Sequence, residues 1–162
     1  MKKWLVVVLS TGLMVAQCGG GGGGGGQDCN SLCQKTQAAG CDPNFNMQEC
    51  LDGCNWAKTN MQSAFFNEAA NCLDKPCDQQ EQCTQNAMSA CSMPSNKDTV
   101  IDAYCNKGVQ CGDFPDVATC KSAIGTQMDS ALKCFTETGI TNIANCIQKS
   151  TCDSNVDSCF VT

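Results

Sequence analysis

The sequence contains neither histidine nor arginine among its 162 residues. Without imidazole, the chain lacks the side chain that most often acts as a general base or a nitrogen metal ligand near neutral pH. Without guanidinium, it lacks the bidentate donor that grips phosphate and carboxylate. Residues 18–162 carry eight lysines and sixteen carboxylates, a formal charge of −8. These features exclude a histidine-based catalytic triad and disfavour a nucleic-acid partner, whose binding depends on basic side chains. We therefore expect a noncatalytic protein without a cofactor.

Aromatic residues are also scarce, at 6% of the chain, whereas cysteine is abundant, with 17 residues. Cysteine above a tenth of a short chain is typical of a disulfide scaffold in an oxidising compartment. Disulfides compensate for the small hydrophobic core of short domains. The composition therefore predicts an exported protein stabilised by several disulfides.

The first 17 residues have the pattern of an export signal. Lys2 and Lys3 precede an apolar run of about thirteen residues, residues 4–16, as in the charged and apolar regions of a signal peptide. The run is shorter than the roughly 20 residues that a spanning helix needs. We predict a cleaved signal peptide over residues 1–17.

The end of this segment, Val15-Ala16-Gln17-Cys18, resembles the lipobox of bacterial lipoproteins. The resemblance implies cleavage before Cys18 and lipidation of that residue, so that the membrane becomes a partner through the lipid anchor. Gly19 after the cysteine implies sorting to the outer membrane, on its periplasmic or cell-surface side. Gln17 departs from the family, which has a small residue there. The alternative is ordinary cleavage after Ala16, which would release a soluble secreted protein.

A glycine tract follows the predicted lipidation site. Eight consecutive glycines occupy residues 19–26, and residues 18–28 as a flexible tether have a root-mean-square reach of roughly 17 Å. This tether is long enough to hold a domain away from a membrane surface.

Six of the remaining sixteen cysteines recur in the same order in two halves of the chain. Both halves also contain the motif Ala-Asn-Cys before a Cys-Asp pair. The chain is therefore predicted to hold two Cys-rich helical repeats, residues 29–92 and 93–162. The recurring cysteines are 33, 41, 50, 72, 77 and 83 in the first repeat and 105, 111, 120, 146, 152 and 159 in the second.

The first repeat contains Cys29-x-x-x-Cys33 and Cys50-x-x-x-Cys54. Residues four apart share a helix face, and facing positions of an antiparallel helical hairpin have a constant sum of residue numbers. The pairs Cys29–Cys54 and Cys33–Cys50 have equal sums, so we predict both bridges.

The second repeat keeps only the inner pair, and Cys105–Cys120 is predicted on the same grounds. Ile101 and Ile124 stand where the outer cysteines would be. A bridge replaced by two touching isoleucines explains why both cysteines are absent together.

The other pairings are less determined by the sequence. Cys91 and Cys134 have no counterpart in the other repeat, so elimination suggests a bridge between the repeats. The four cysteines left in each repeat permit three connectivities, which stay open. They are Cys41, Cys72, Cys77 and Cys83 in the first repeat and Cys111, Cys146, Cys152 and Cys159 in the second.

Helix signals predict an all-α fold of tandem helical hairpins. Asp28 is expected to cap a helix that ends at Gly40, and Asn46 to cap a second helix. The apolar spacing over residues 47–72 is consistent with one long helix or two in phase. In the second repeat, Thr138-Gly139 is expected to break the helical pattern. We expect the aromatic residues Trp56, Phe65, Phe66 and Tyr104 to pack in the core. The alternative is an exposed binding patch, for which Phe66 is the best candidate because it lies off the apolar stripe.

Two further resemblances concern the cysteine spacing. The segment 29–54 resembles the disulfide-bridged hairpin of small mitochondrial intermembrane-space chaperones, which supports bridging and implies nothing about activity here. Cysteines four apart on helices also resemble the copper storage proteins, in which thiolates hold Cu(I). We expect an envelope-anchored binding or structural module with an unidentified ligand. The alternative is a thiolate protein that binds or stores Cu(I) or zinc.

Overall fold

The computed structural model describes residues 28–154 and 156–160, and it divides them into two compact units. We call residues 28–91 the N-terminal unit and residues 92–160 the C-terminal unit. The division falls between Cys91 and Ser92, whereas the repeat pattern places it after residue 92.

The N-terminal unit is built from four α-helices and two short 3₁₀ turns. Helix α1 packs against α2, and α3 packs against α4. The helices are α1 (Cys29–Ala39), α2 (Met47–Asn60), α3 (Ser63–Asn71) and α4 (Cys77–Ala87), with 3₁₀ turns at Cys72–Asp74 and Met88–Ala90.

The ends of α1 and α2 follow from local side-chain chemistry, and the predicted caps are confirmed. The Asp28 carboxylate accepts a hydrogen bond from the Ser31 backbone N–H at 3.2 Å. Gly40 ends α1 in the left-handed region, with φ of 64°, which glycine adopts without a Cβ clash. The Asn46 side-chain oxygen accepts from the backbone N–H groups of Gln48 and Glu49 at the start of α2. Local sequence signals therefore determine where α1 begins, where it ends and where α2 begins.

The apolar stripe over residues 47–72 belongs to two helices. Helix α2 ends at Asn60, Met61 is extended, and α3 begins at Ser63. This interruption lets Phe66 and Ala70 of α3 join the core of the hairpin. Phe66 is only 9% exposed, so the expected core packing holds for it and the alternative of an exposed aromatic residue is wrong. The off-stripe position faces outward only on a straight continuation of α2, which the chain does not make.

The C-terminal unit contains three α-helices and a terminal 3₁₀ turn. Helix α5 packs against both α6 and α7, and Ile140, Ile143 and Ile147 of α7 are almost fully buried. These elements are α5 (Asp98–Gln110), α6 (Val117–Leu132), α7 (Glu137–Lys149) and the 3₁₀ turn Val156–Phe160.

The break between α6 and α7 lies earlier than the sequence suggests. Helix α6 ends at Leu132, and Thr136 caps α7 by accepting a hydrogen bond from the backbone N–H of Gly139 at 3.0 Å. The predicted break at Thr138-Gly139 is therefore wrong, because glycine is tolerated in the first turn when a threonine side chain satisfies its N–H group.

The described residues thus form an all-α fold rich in disulfides, as the sequence predicts. Each unit begins with a helical hairpin, α1–α2 in one and α5–α6 in the other, and continues into a second helical segment. The disulfides that join these parts are the most distinctive chemical feature of the chain.

Candidate functional site

Two disulfides close the α1–α2 hairpin. They join Cys29 to Cys54 and Cys33 to Cys50, with Cα–Cα distances of 5.7 and 5.9 Å. These are the pairings that the equal residue-number sums predict. All four cysteines are buried in the core of the hairpin.

One disulfide closes the α5–α6 hairpin, the predicted pair Cys105–Cys120, with a Cα–Cα distance of 5.5 Å. Both cysteines are fully buried. Ile101 and Ile124, which stand at the positions of the absent outer pair, are 6% and 5% exposed. We refer to Cys29–Cys54, Cys33–Cys50 and Cys105–Cys120 as the hairpin bridges.

The structure selects the same connectivity in both units for the cysteines that the sequence leaves open. Each hairpin loop is joined to the start of a later segment by what we call an outer bridge. Each unit also has a tail bridge that closes its second half. The outer bridges are Cys41–Cys77 and Cys111–Cys152, and the tail bridges are Cys72–Cys83 and Cys146–Cys159.

This connectivity has no sequence signal of the kind that identified the hairpin bridges. The hairpin bridges were identified because two pairs that span one hairpin have equal sums of residue numbers. Each tail segment offers only one pair, so its sum has nothing to be compared with. The duplicated cysteine order predicts only that corresponding cysteines pair in the same way in both repeats, and they do.

Cys91 and Cys134 are also disulfide-bonded and buried. The bridge between them stays a prediction. Together with the seven bridges above, all sixteen cysteines from Cys29 to Cys159 are oxidised. Thiolates are the ligands that a Cu(I) or zinc store needs, and disulfide sulfurs do not supply them. Over residues 28–154 and 156–160, no cluster of three or more His, Cys, Asp or Glu is arranged as a metal site.

The predicted lipidation site, Cys18, lies outside the described residues, as do the signal peptide and most of the tether. Among the residues that the structure does describe, no helix has the length and apolar character to cross a membrane. The many disulfides indicate an oxidising, exported environment, where such bonds form and persist.

The disulfides differ in exposure, and they differ in the same way in both units. Every hairpin-bridge cysteine is buried. Each tail bridge combines one buried cysteine, Cys72 or Cys159, with a partly buried partner. Neither outer bridge has a buried member, since Cys77 and Cys152 are exposed and their partners are partly exposed.

An open groove of about 590 Å³ lies in the N-terminal unit, between the end of α3 and the exposed face of α4. The Cys72–Cys83 bridge lies in its wall, and three side-chain amides follow one face of α4. Two of these amides are joined by a hydrogen bond from Gln82 Nε2 to Asn86 Oδ1 at 3.3 Å. We call this groove the polar groove after its polar side chains, although apolar atoms of Ala87 and Ala90 also line it; the polar residues are Glu68, Lys75, Asp78, Gln79, Gln82 and Asn86. Its amides and charges suit hydrogen bonding to a polar ligand.

The pKa values of Asp28, Asp116 and Lys97 are shifted by interactions that stabilise the fold. Hydrogen bonds from the Ser31 backbone N–H lower the pKa of Asp28, and the Thr119 backbone N–H lowers that of Asp116. Both residues are N-caps, of α1 and α6. A hydrogen bond to Asp129 raises the pKa of Lys97, its ion-pair partner. These groups lie at helix ends and in a surface ion pair, where the perturbation has a structural cause.

The sequence identified the hairpin bridges and missed the polar groove and the exposure of the outer bridges. Comparison with known proteins finds no matching family model, no matching curated sequence and no matching solved structure.

Proposed function

We propose that this chain is an exported lipoprotein of the cell envelope, held to the outer membrane through Cys18, and that it serves as a noncatalytic binding or structural module. The observation that carries the proposal is the set of sixteen oxidised cysteines, of which the six that recur in each unit pair in the same way in both. Such a framework suits a domain exposed to proteases outside the cytoplasm.

The amino-terminal sequence supports the anchor. A charged and apolar leader, a lipobox-like end at Cys18 and an eight-glycine tether would hold the two units close to a membrane without crossing it. The mature chain is acidic and contains no arginine, which favours a soluble surface over one that binds anionic polymers.

The polar groove supports the binding role. Its three amides and the Asp78 carboxylate lie on α4, while Glu68 of α3 and Lys75 between the helices add a second carboxylate and an amine, so the groove offers both hydrogen-bond donors and acceptors. The whole sequence lacks histidine, so a reaction in this groove would have to proceed without the commonest general base. A binding module uses these side chains without needing that chemistry.

The experiment is the intact mass of the protein exported with its own leader in a Gram-negative host, alkylated without reduction. We expect acyl chains on Cys18 and no alkyl group on any other cysteine. A lipid-free mass that begins at Gln17 would overturn the anchor, and many alkylated thiols would overturn the scaffold and revive metal storage.

Two matched variants sharpen this test. Cys18→Ser removes the acceptor sulfur, and we expect the protein to leave the membrane fraction. Gln17→Ala restores the small residue of the lipobox, and we expect more complete processing with the same lipidated mass. Membrane retention of the Cys18→Ser variant would contradict the proposal.

A further inference from the structure

The bridges of each unit can be ranked by the burial of their sulfur-bearing residues. The hairpin bridges are buried on both sides, the tail bridges on one side, and the outer bridges on neither. An attacking thiolate must approach a disulfide sulfur directly, so access controls the rate of exchange. The ranking repeats in two units with different surrounding sequences, which separates it from an accident of one loop.

We propose that the two outer bridges, Cys41–Cys77 and Cys111–Cys152, are sites of thiol–disulfide exchange that a dithiol reductant opens while the hairpin bridges stay closed. In the N-terminal unit, a thiolate of the dithiol attacks the Sγ atom of Cys77, the exposed residue of the pair, and forms a mixed disulfide. The bond to Cys41 breaks, and Cys41 leaves as a thiolate that takes a proton from water. The second thiol of the reductant then attacks its own mixed-disulfide sulfur and releases Cys77, so the dithiol is oxidised and the bridge is reduced.

The same chemistry applies to the C-terminal unit. Cys152 is the exposed member there and Cys111 its partly exposed partner.

Opening an outer bridge has a defined structural consequence. In each unit, the outer bridge is the one bridge among those with assigned partners that joins the helical hairpin to the second half. The hairpin bridges lie within the hairpin, and the tail bridges lie within the second half. Exchange at the outer bridge therefore opens the disulfide link between the two halves, which the backbone still joins, and leaves each half with its own disulfides.

Noncovalent packing between the halves remains after exchange. In the N-terminal unit, Phe66 and Ala70 of α3 stay in the hairpin core, and Lys35 of α1 pairs with Asp74. In the C-terminal unit, α5 packs along α7, and Lys107 Nζ donates to the Ser150 carbonyl oxygen at 2.8 Å. We therefore expect the reduced outer bridges to leave the helical content unchanged.

The test is a time course of the full exported chain with dithiothreitol in native buffer, quenched with an alkylating reagent and mapped by peptide mass spectrometry. We expect Cys41, Cys77, Cys111 and Cys152 to be alkylated first, at least about tenfold faster than the hairpin-bridge cysteines. The tail-bridge cysteines should react at an intermediate rate. Far-ultraviolet circular dichroism recorded in parallel should not change during the first phase.

A double variant, Cys41→Ser with Cys77→Ser, is the matched control. Its first phase should contain only Cys111 and Cys152, with the rates of the other bridges unchanged. If this variant does not fold, the map of the unsubstituted chain still decides the question. Reduction of all bridges in a single step, hairpin bridges reacting as fast as outer bridges, or loss of helix during the first phase would each overturn the proposal.

Discussion

The α1–α2 hairpin of the N-terminal unit is closed by two disulfides, and the α5–α6 hairpin of the C-terminal unit by one. In the second hairpin, buried Ile101 and Ile124 occupy the places of Cys29 and Cys54. A buried isoleucine contributes about 1.5–3 kcal/mol through the hydrophobic effect, which is comparable to the roughly 2–4 kcal/mol typical of a disulfide. A hairpin of this kind therefore tolerates the loss of one bridge when a second bridge fixes the register and apolar side chains fill the space.

The outer and tail bridges show no such substitution. Each unit has one outer bridge and one tail bridge, and these join corresponding cysteines in the two repeats. Among the bridges with assigned partners, the outer bridges span the longest stretches of chain, 36 and 41 residues, and long loops gain the most from closure in the chain-entropy description. Their exposed positions offer little burial that an apolar pair could exploit in exchange.

The largest expected effect comes from removing the single bridge of the α5–α6 hairpin. Replacing both Cys105 and Cys120 by alanine should destabilise the protein by about 3 kcal/mol, because nothing else closes the 15-residue separation. The matched change, Cys33→Ala with Cys50→Ala, should cost roughly half as much, since Cys29–Cys54 still closes that hairpin. Guanidinium denaturation of each variant measures the difference. Equal losses of stability would contradict the idea that Cys29–Cys54 compensates for the loss of Cys33–Cys50.

The second effect concerns replacing a bridge by the apolar pair of the other unit. Changing Cys29 and Cys54 together to isoleucine should cost about 1–2 kcal/mol less in unfolding free energy than changing Cys29 alone, because the single variant leaves a buried thiol beside a new side chain. A double-mutant cycle by chemical denaturation measures this coupling. A double variant that fails to fold, or one less stable than either single variant, would show that a pair of isoleucines cannot replace the Cys29–Cys54 bridge.

The reverse exchange should have a smaller effect. Changing Ile101 and Ile124 together to cysteine should create a second hairpin bridge around Cys105–Cys120. We expect a net change in unfolding free energy of about 1 kcal/mol or less, because the new bridge is offset by the lost burial of two isoleucines. The intact mass after alkylation without reduction reports whether the bridge forms. Two alkyl groups on the new cysteines would show that the two hairpins differ in geometry.

The smallest effect is the pH dependence of the helix caps. Asp28 caps the first helix of one hairpin and Asp116 the second helix of the other, and in both the pKa lies below its ordinary value of 3.8. A lowered folded pKa contributes stability that is present above the unfolded value and is lost as the pH falls through the folded value. Stability should therefore decline slightly as the pH falls below about 4. Asp28→Asn keeps a capping oxygen and should remove its share of this decline, measured by denaturation midpoints at about pH 6 and about pH 2.5. The matching variant of the other cap is Asp116→Asn. If stability declines as much in both variants as in the unsubstituted protein, the caps are not the source of the decline.

Much of the hairpin geometry was predictable because its signals are local. Cysteines four apart, the caps at Asp28 and Asn46, and the stop at Gly40 each act within one helical turn of the feature they determine. The errors arose where a contact distant in sequence decided the outcome, or where a nearby cap outweighed a glycine. Phe66 is buried because α3 turns back onto the hairpin core, and Gly139 lies inside α7 because Thr136 caps the helix before it.

The all-α fold class, the duplicated order of cysteines and the three hairpin bridges were predictable from the residues alone, because helical periodicity relates neighbouring turns without any knowledge of the rest of the chain. The partners of the outer and tail bridges, and the exposure that distinguishes them, follow only from the packed helices. Those properties depend on how cysteines 11 to 41 residues apart come together. The order of the cysteines along the chain allows several pairings, and only the packing of the helices selects one.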